Sequence, residues 1–197
     1  MDFMIFDFET LSNITTEAPI ISWGAIAGTW DKEYSVDELR ESGFYRNVDA
    51  IHQCETYGLK ANQETLKWWA SQGEEAKRVL KATDKISIEK CIAEFNKWCS
   101  DVGVDTKTQV WIRAPHFDMT IYENLLRLTG KSIYRPFMHW NVRDTRTACD
   151  IIYANRRGYM PGNKEKFLEL GLVEHNALDD CIKEYVQLYP WFGKSND

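Results

Sequence analysis

The opening segment constrains this chain most. Phe3-Met4-Ile5-Phe6 followed by Asp7-Phe8-Glu9 reads as a β-strand. A strand has a period of two, so Asp7 and Glu9 leave one face while Phe6 and Phe8 point to the other. Two carboxylates held together beside an apolar strand repel each other and lose hydration. A bound divalent cation removes that cost, and oxygen-only ligands favour hard ions, Mg²⁺ or Mn²⁺. Spacing alone is not selective. Asp31-Lys32-Glu33 repeats the triplet in a polar, turn-like stretch, where carboxylates are simply hydrated.

Further strands are expected over 20–29, 44–48 and 110–112. Asn62-Gln63-Glu64 opens a helical stretch carrying Leu66, Trp69 and Ala70. Ile88, Cys91, Ile92, Phe95, Trp98, Cys99 and Val102 recur at helical spacing and predict an amphipathic helix over 87–102, stopped by Gly103. Helices are also expected over 118–128, over 145–155 with Ile151 and Ile152 inside, and over 176–189. The last should bury Leu178, Cys181, Ile182, Tyr185, Val186 and Tyr189. The stretch 158–162, with Pro161, reads as a loop. Three early strands, then helices alternating with strands, predict a mixed α/β layer fold in one domain spanning 1–197.

Composition narrows the class of protein. The 44% hydrophobic and 27% charged residues exclude a disordered tail or a collagen-like repeat. No apolar run approaches the ~18 residues that cross a bilayer, so no membrane partner is expected. Met1-Asp2-Phe3-Met4 lacks a basic, then apolar, leader pattern, so no signal peptide is expected either. Five cysteines without a C-x-x-C pair point away from a zinc cage and toward a reducing cytoplasm. The net charge of -6 argues against a protein that coats nucleic acid unselectively. Between Lys131 and Lys166, however, eight basic residues face three acidic ones, so that window is +5 and the remainder -11. It reads either as a solvated face or as a local track for phosphates.

Two further positions carry candidate chemistry. Asp118 follows a short buried strand at the start of a helix, where acids are also favoured by the helix dipole. His175-Asn176-Ala177-Leu178-Asp179-Asp180 precedes and enters the last helix. Residues five apart on one helix diverge by ~140°, so His175 must lie in the loop before it to share a site with Asp180. Helix geometry does not choose between Asp179 and Asp180.

In order along the chain, Asp7-Phe8-Glu9-Thr10, Phe117-Asp118 and His175-x-Ala177-x-x-Asp180 resemble the three motifs of the DEDDh 3'→5' exonucleases, which have a ribonuclease H-like fold. The stretches 64–72 and 143–147 are similar to those of the DexA-type exodeoxyribonucleases of T-even phages and related bacterial exoribonuclease-like domains. The resemblance implies a mixed central sheet flanked by helices and a site built from Asp7, Glu9, Asp118, Asp180 and His175. It assigns the four acids as ligands of two divalent cations, Mg²⁺ or Mn²⁺, and His175 as the base. It also selects Asp180 over Asp179. Where the family has a small, Gly- or Asn-rich turn, this chain reads Arg113-Ala114-Pro115-His116-Phe117.

The implied activity is release of 5'-mononucleotides from the 3' end of a single strand, with DNA favoured over RNA on the phage likeness. The alternatives are an exoribonuclease, or a catalytically idle binding module of the same fold. Phe8, Thr10 and Leu11 are expected to seat the terminal nucleotide through their backbone amides, with Leu11 as a wedge. Trp69 or Trp68 is expected to stack on a base, at least one of them packing in the core instead. Arg143 is expected to reach a phosphate, as is Arg146, unless Asp144 pairs with them. The expected setting is the cytoplasm of a bacterium or phage-infected host, and a homodimer is left open.

Overall fold

The computed structural model describes residues 1–131 and 135–193. In chain order the strands are β1 Phe3–Thr10, β2 Ile20–Gly28, β3 Phe44–Asn47, β4 Gln109–Ile112 and β5 Val142–Asp144. The helices are α1 Val36–Ser42, α2 Ala50–Tyr57, α3 Gln63–Ser71, α4 Arg78–Lys81, α5 Ile88–Val102, α6 Pro115–Leu128, α7 Thr145–Ile152, α8 Asn163–Glu169 and α9 Ala177–Phe192. The sheet order is β3-β2-β1-β4-β5, antiparallel on the β2 side of β1 and parallel on the β4 side.

Strand β1 is central, and its two faces feed two cores. Met4, Phe6 and Phe8 pack with α5 and α6 through Phe95, Tyr122 and Leu125. Phe3 and Ile5 pack with α9 and α1 through Ile182, Tyr185 and Leu39. Asp7 and Glu9 continue the second face by the period-two rule. Gly24, opposite Asp7 on β2, is where α9 comes closest, because a Cβ there would overlap the backbone of Ala177 and Leu178. That close approach sets the N-terminal turn of α9 directly over the carboxylates of β1.

Strand β4 pairs with β1 only from Phe3 to Ile5. Beyond Ile112 its chain turns into α6, so the C-terminal half of β1 has a free edge on that side. Open α/β sheets place ligands at the carboxyl ends of such diverging strands.

Helix α5 follows its apolar periodicity, buries Ile88, Cys91, Ile92, Phe95 and Cys99, and ends at Gly103 in the left-handed region. Elsewhere the expected bounds shift. Helix α6 begins at Pro115 rather than Asp118, since proline is preset for the first helical position. Helix α7 stops at Ile152, before Ala154 takes a positive φ of 47°, and Ile151 is exposed rather than inside. Helix α9 runs on to Phe192, and it buries Lys183, Glu184 and Gln187, whereas Leu178, Val186 and Tyr189 are only partly buried. The short elements α1, α2, α4, α8 and β5 span too few residues to show a period. No helix among the described residues is long and apolar enough to cross a membrane.

Candidate active site

The site assembles where β1 outruns β4. The Phe8 N–H, without a ladder partner on that edge, donates to Asp118 Oδ1 at 3.3 Å. Asp118 reaches it from the first turn of α6. The tight entry to that helix is made by Ala114, which adopts φ 56°, and the Ala114 N–H donates to Asp144 Oδ1 at 3.2 Å. Asp144 also caps α7 through Arg146 N and Thr147 N. The Asp144 of the 143–147 stretch is therefore a brace for the turn that presents Asp118.

His175 sits in the turn before α9 with φ 59°, and Asn176 caps the helix through Leu178 N and Asp179 N. One ligand atom each from Glu9, His175 and Asp180 lie within 4.8 Å of one another. Burial raises the Asp7 carboxyl well above the usual range, and repulsion from Asp118, Asp180 and Glu9 adds to it. Burial likewise raises Glu9, with Asp180 and Asp118 repelling it. Asp118 is pushed up to about 8 by burial, against the Phe8 N–H bond, which lowers it. Asp180 is raised by burial despite Lys183, whose Nζ lies 2.6 Å from Asp180 Oδ1. Four acids, Glu9 and Asp118 buried and Asp7 and Asp180 partly so, thus crowd one another with a single ammonium against them. This donor set, carboxylate oxygens beside one imidazole nitrogen, fits hard divalent cations.

Asp179, one residue away, has another task. It pairs with Arg40 through both carboxylate oxygens at 3.0 and 3.1 Å and accepts from Val173 N. Lys183 Nζ also donates to Val173 O. The turn carrying His175 is thereby fastened to α1 and α9.

Several expected substrate contacts are corrected. Trp69 is 1% exposed, and its Nε1 donates to Thr10 O at 2.8 Å, so it is a core residue. Trp68 is 40% exposed and meets the His175 ring edge-on at a centroid distance of 4.7 Å. The amides of Phe8 and Leu11 are already taken, by Asp118 and by Pro19 O. The Leu11 side chain packs against the cluster around Ile21 and Trp69. Thr10 is buried and donates its hydroxyl to Ser12 O. Arg143 donates to the carbonyls of Trp140 and Val142, while Arg146 points into a cavity beside the acids.

Two cavities flank the acids. The smaller, about 380 Å³, is lined by Phe8, Glu9, Thr10, Asn13, Glu64, Trp68 and Phe117, among others. The larger, about 740 Å³, runs from Asp7, His175 and Asp180 past Lys183, Arg146 and Arg157. Sequence reasoning flagged the basic window as a possible phosphate track but missed Lys183 and the Arg113–Glu184 pair at 3.0 Å.

The fold defines a class. The nuclease domain of 3'hExo, a DEDDh family member solved with rAMP, aligns with a TM-score of 0.63 at 13% identity, over 98% of this chain and 92% of that one. Cell-death related nuclease 4 aligns with a TM-score of 0.62 at 14% identity, and E. coli exonuclease I with a dA16 oligonucleotide at 0.57 and 13%. These matches cover 98% and 95% of this chain, which spans only 64% and 40% of those chains. The fold is ribonuclease H-like, as in the DEDDh exonucleases. No curated protein matches by sequence. The family model described as the 3'-5' exoribonuclease Rv2179c-like domain matches residues 2–188, and the chain belongs to that family.

Proposed function

We propose that this chain is a metal-dependent 3'→5' exonuclease that removes 5'-mononucleotides from single strands, with RNA as its substrate. The observation that carries the reading is that Glu9, His175 and Asp180 bring ligand atoms within 4.8 Å of one another beside Asp7 of the same strand face and Asp118, which is tied to Phe8 N. Asp7, Glu9, Asp118 and Asp180 would hold two divalent cations, Mg²⁺ or Mn²⁺. When bound, such a pair orients the attacking water and offsets charge on the leaving 3'-oxygen.

The remaining tasks fall to side chains of the protein. His175 takes the proton of the attacking water, the task of a general base that an imidazole nitrogen can perform. Its left-handed backbone and the edge of Trp68 fix the ring over Glu9 and Asp180. The terminal nucleoside occupies the smaller cavity, where Trp68 offers an aromatic face and Asn13 and Glu64 offer polar groups to the sugar. Lys183 keeps the Asp180 carboxylate turned toward the His175 turn.

Substrate preference rests on the family description, which names an exoribonuclease. A second reading, single-stranded DNA, is supported by the phage-type motif likeness and by the fold shared with an exonuclease solved with dA16. A time course on matched 5'-labelled RNA and DNA 12-mers tests both. The expected result is a ladder shortening from the 3' end, faster on RNA, abolished by EDTA and by Asp7→Asn. A protein that leaves both strands intact in Mg²⁺ and in Mn²⁺ sinks the proposal.

A further inference from the structure

The larger cavity has a floor and a wall of opposite charge. Its floor is the acidic end just described. Its wall carries Arg146, Arg157 and Lys164. All three are exposed, and among the described residues none has a carboxylate within 4.0 Å. Two other cations of the same basic window are spent differently, while Arg156 and Lys166 are exposed outside the lining of this cavity. Arg135 pairs with Glu123 at 2.8 Å, and Arg143 binds carbonyls of its own turn. Outside the window the chain carries -11. This wall therefore carries unneutralised positive charge beside the acids.

The wall is built rather than loose. Arg113, paired with Glu184, donates to Gly158 O at 2.8 Å and stacks on the Tyr159 ring at 3.6 Å. Gly158 N donates to Asp150, and Met160 N donates to Gln187 of α9. Asn155 braces the loop from within, accepting from Arg157 N and donating to Tyr159 O. Gly158 has φ 68°, and a Cβ there would overlap Arg146, whose stem lies across it. The three non-glycine residues with positive φ among those described, Ala114, Ala154 and His175, all sit at or next to the segments bordering this cavity. Such strain is held only where surrounding contacts over-determine it.

We propose that Arg146, Arg157 and Lys164 bind the phosphates upstream of the scissile bond, so that the protein distinguishes a polynucleotide from a dinucleotide. This rests on the exonuclease reading for the direction of the strand. The terminal nucleoside takes the smaller cavity, the scissile phosphate the acids, and the upstream strand leaves along the basic wall. Three phosphate contacts to a single strand give a log–log salt slope of about -2.

The test is binding, which does not depend on turnover. Fluorescence anisotropy compares the parent with R157Q/K164Q on 5'-fluorescein dT12 and dT2, and on the RNA equivalents. Each probe carries a 3'-terminal phosphorothioate, and Mg²⁺ is present at several NaCl concentrations. The double variant is expected to bind the 12-mers on the order of tenfold more weakly, with a salt slope shallower by about 1.4, while the dinucleotides lose far less. Equal losses on both lengths, an unchanged slope, or a parent that binds 12-mers no better than dinucleotides would overturn the proposal. A parent that binds by length yet cleaves nothing would instead count against the exonuclease reading and leave the basic wall standing.

Discussion

Phe8 and Asp118 are joined by a backbone-to-carboxylate hydrogen bond of 3.3 Å that spans 110 residues of chain. It registers the first turn of α6 against the free edge of β1, and both residues are buried. Asp118→Asn keeps an acceptor oxygen for that bond and removes an ionisable carboxyl that the metal-free fold must hold protonated up to about pH 8. The expected outcome is a chain as stable as the parent or more so without metal, with cleavage slowed by at least about a hundredfold. Asp118→Ala loses the acceptor as well and should melt lower than Asp118→Asn. Thermal melts and oligonucleotide cleavage check both.

The raised carboxyls make stability depend on pH and on metal together. Asp118 binds its proton up to about 8 in the folded chain, far above the ordinary carboxylate range. Asp7, Glu9 and Asp180 are raised in the same direction. Between the ordinary range and about pH 8 the folded state thus holds more protons than the unfolded state, so stability falls as pH rises. In EDTA the melting temperature should drop from pH 5 to pH 8. Mg²⁺ or Mn²⁺ should raise it, and by more at pH 8 than at pH 5, because the cations replace the protons. A metal shift independent of pH would contradict the shared acidic site.

At Gly24 the backbone of α9 approaches the sheet too closely for a side chain. A methyl group there meets the backbone of Ala177 and Leu178, not a yielding side-chain end. Gly24→Ala should cost about 3 kcal/mol or more, read by urea denaturation. Because the same turn carries Asp180, weaker Mn²⁺ binding by titration calorimetry should accompany the loss of stability.

The adjacent tryptophans should separate cleanly. Trp69→Phe removes the Nε1 bond to Thr10 O and should lower stability by about 1–2 kcal/mol, leaving the KM for short strands close to the parent's. Trp68→Ala removes a half-exposed ring beside His175 and should leave stability nearly unchanged. Its KM should rise several-fold, in line with the loss of about 1–3 kcal/mol per stacked base.

What the sequence determined by itself is local and periodic. The two carboxylates of β1 share a face because strands repeat every two residues. The face of α5 and its stop at Gly103 follow from helical spacing and a left-handed cap. The need for His175 to sit in a loop follows from the ~140° divergence of residues five apart. The motif resemblance chose Asp180 over Asp179, but only the tertiary structure shows where each neighbouring side chain goes. It sends Asp179 to Arg40 and keeps Asp180 beside Glu9 and His175. It buries Trp69, leaves Trp68 beside the imidazole, and turns Arg146 rather than Arg143 toward the acids. Each of these choices depends on partners distant in the chain, as with Arg40 and Asp179, 139 positions apart. Short-range periodicity carries no record of such partners, because the free energy that selects among adjacent side chains arises only when separate elements pack.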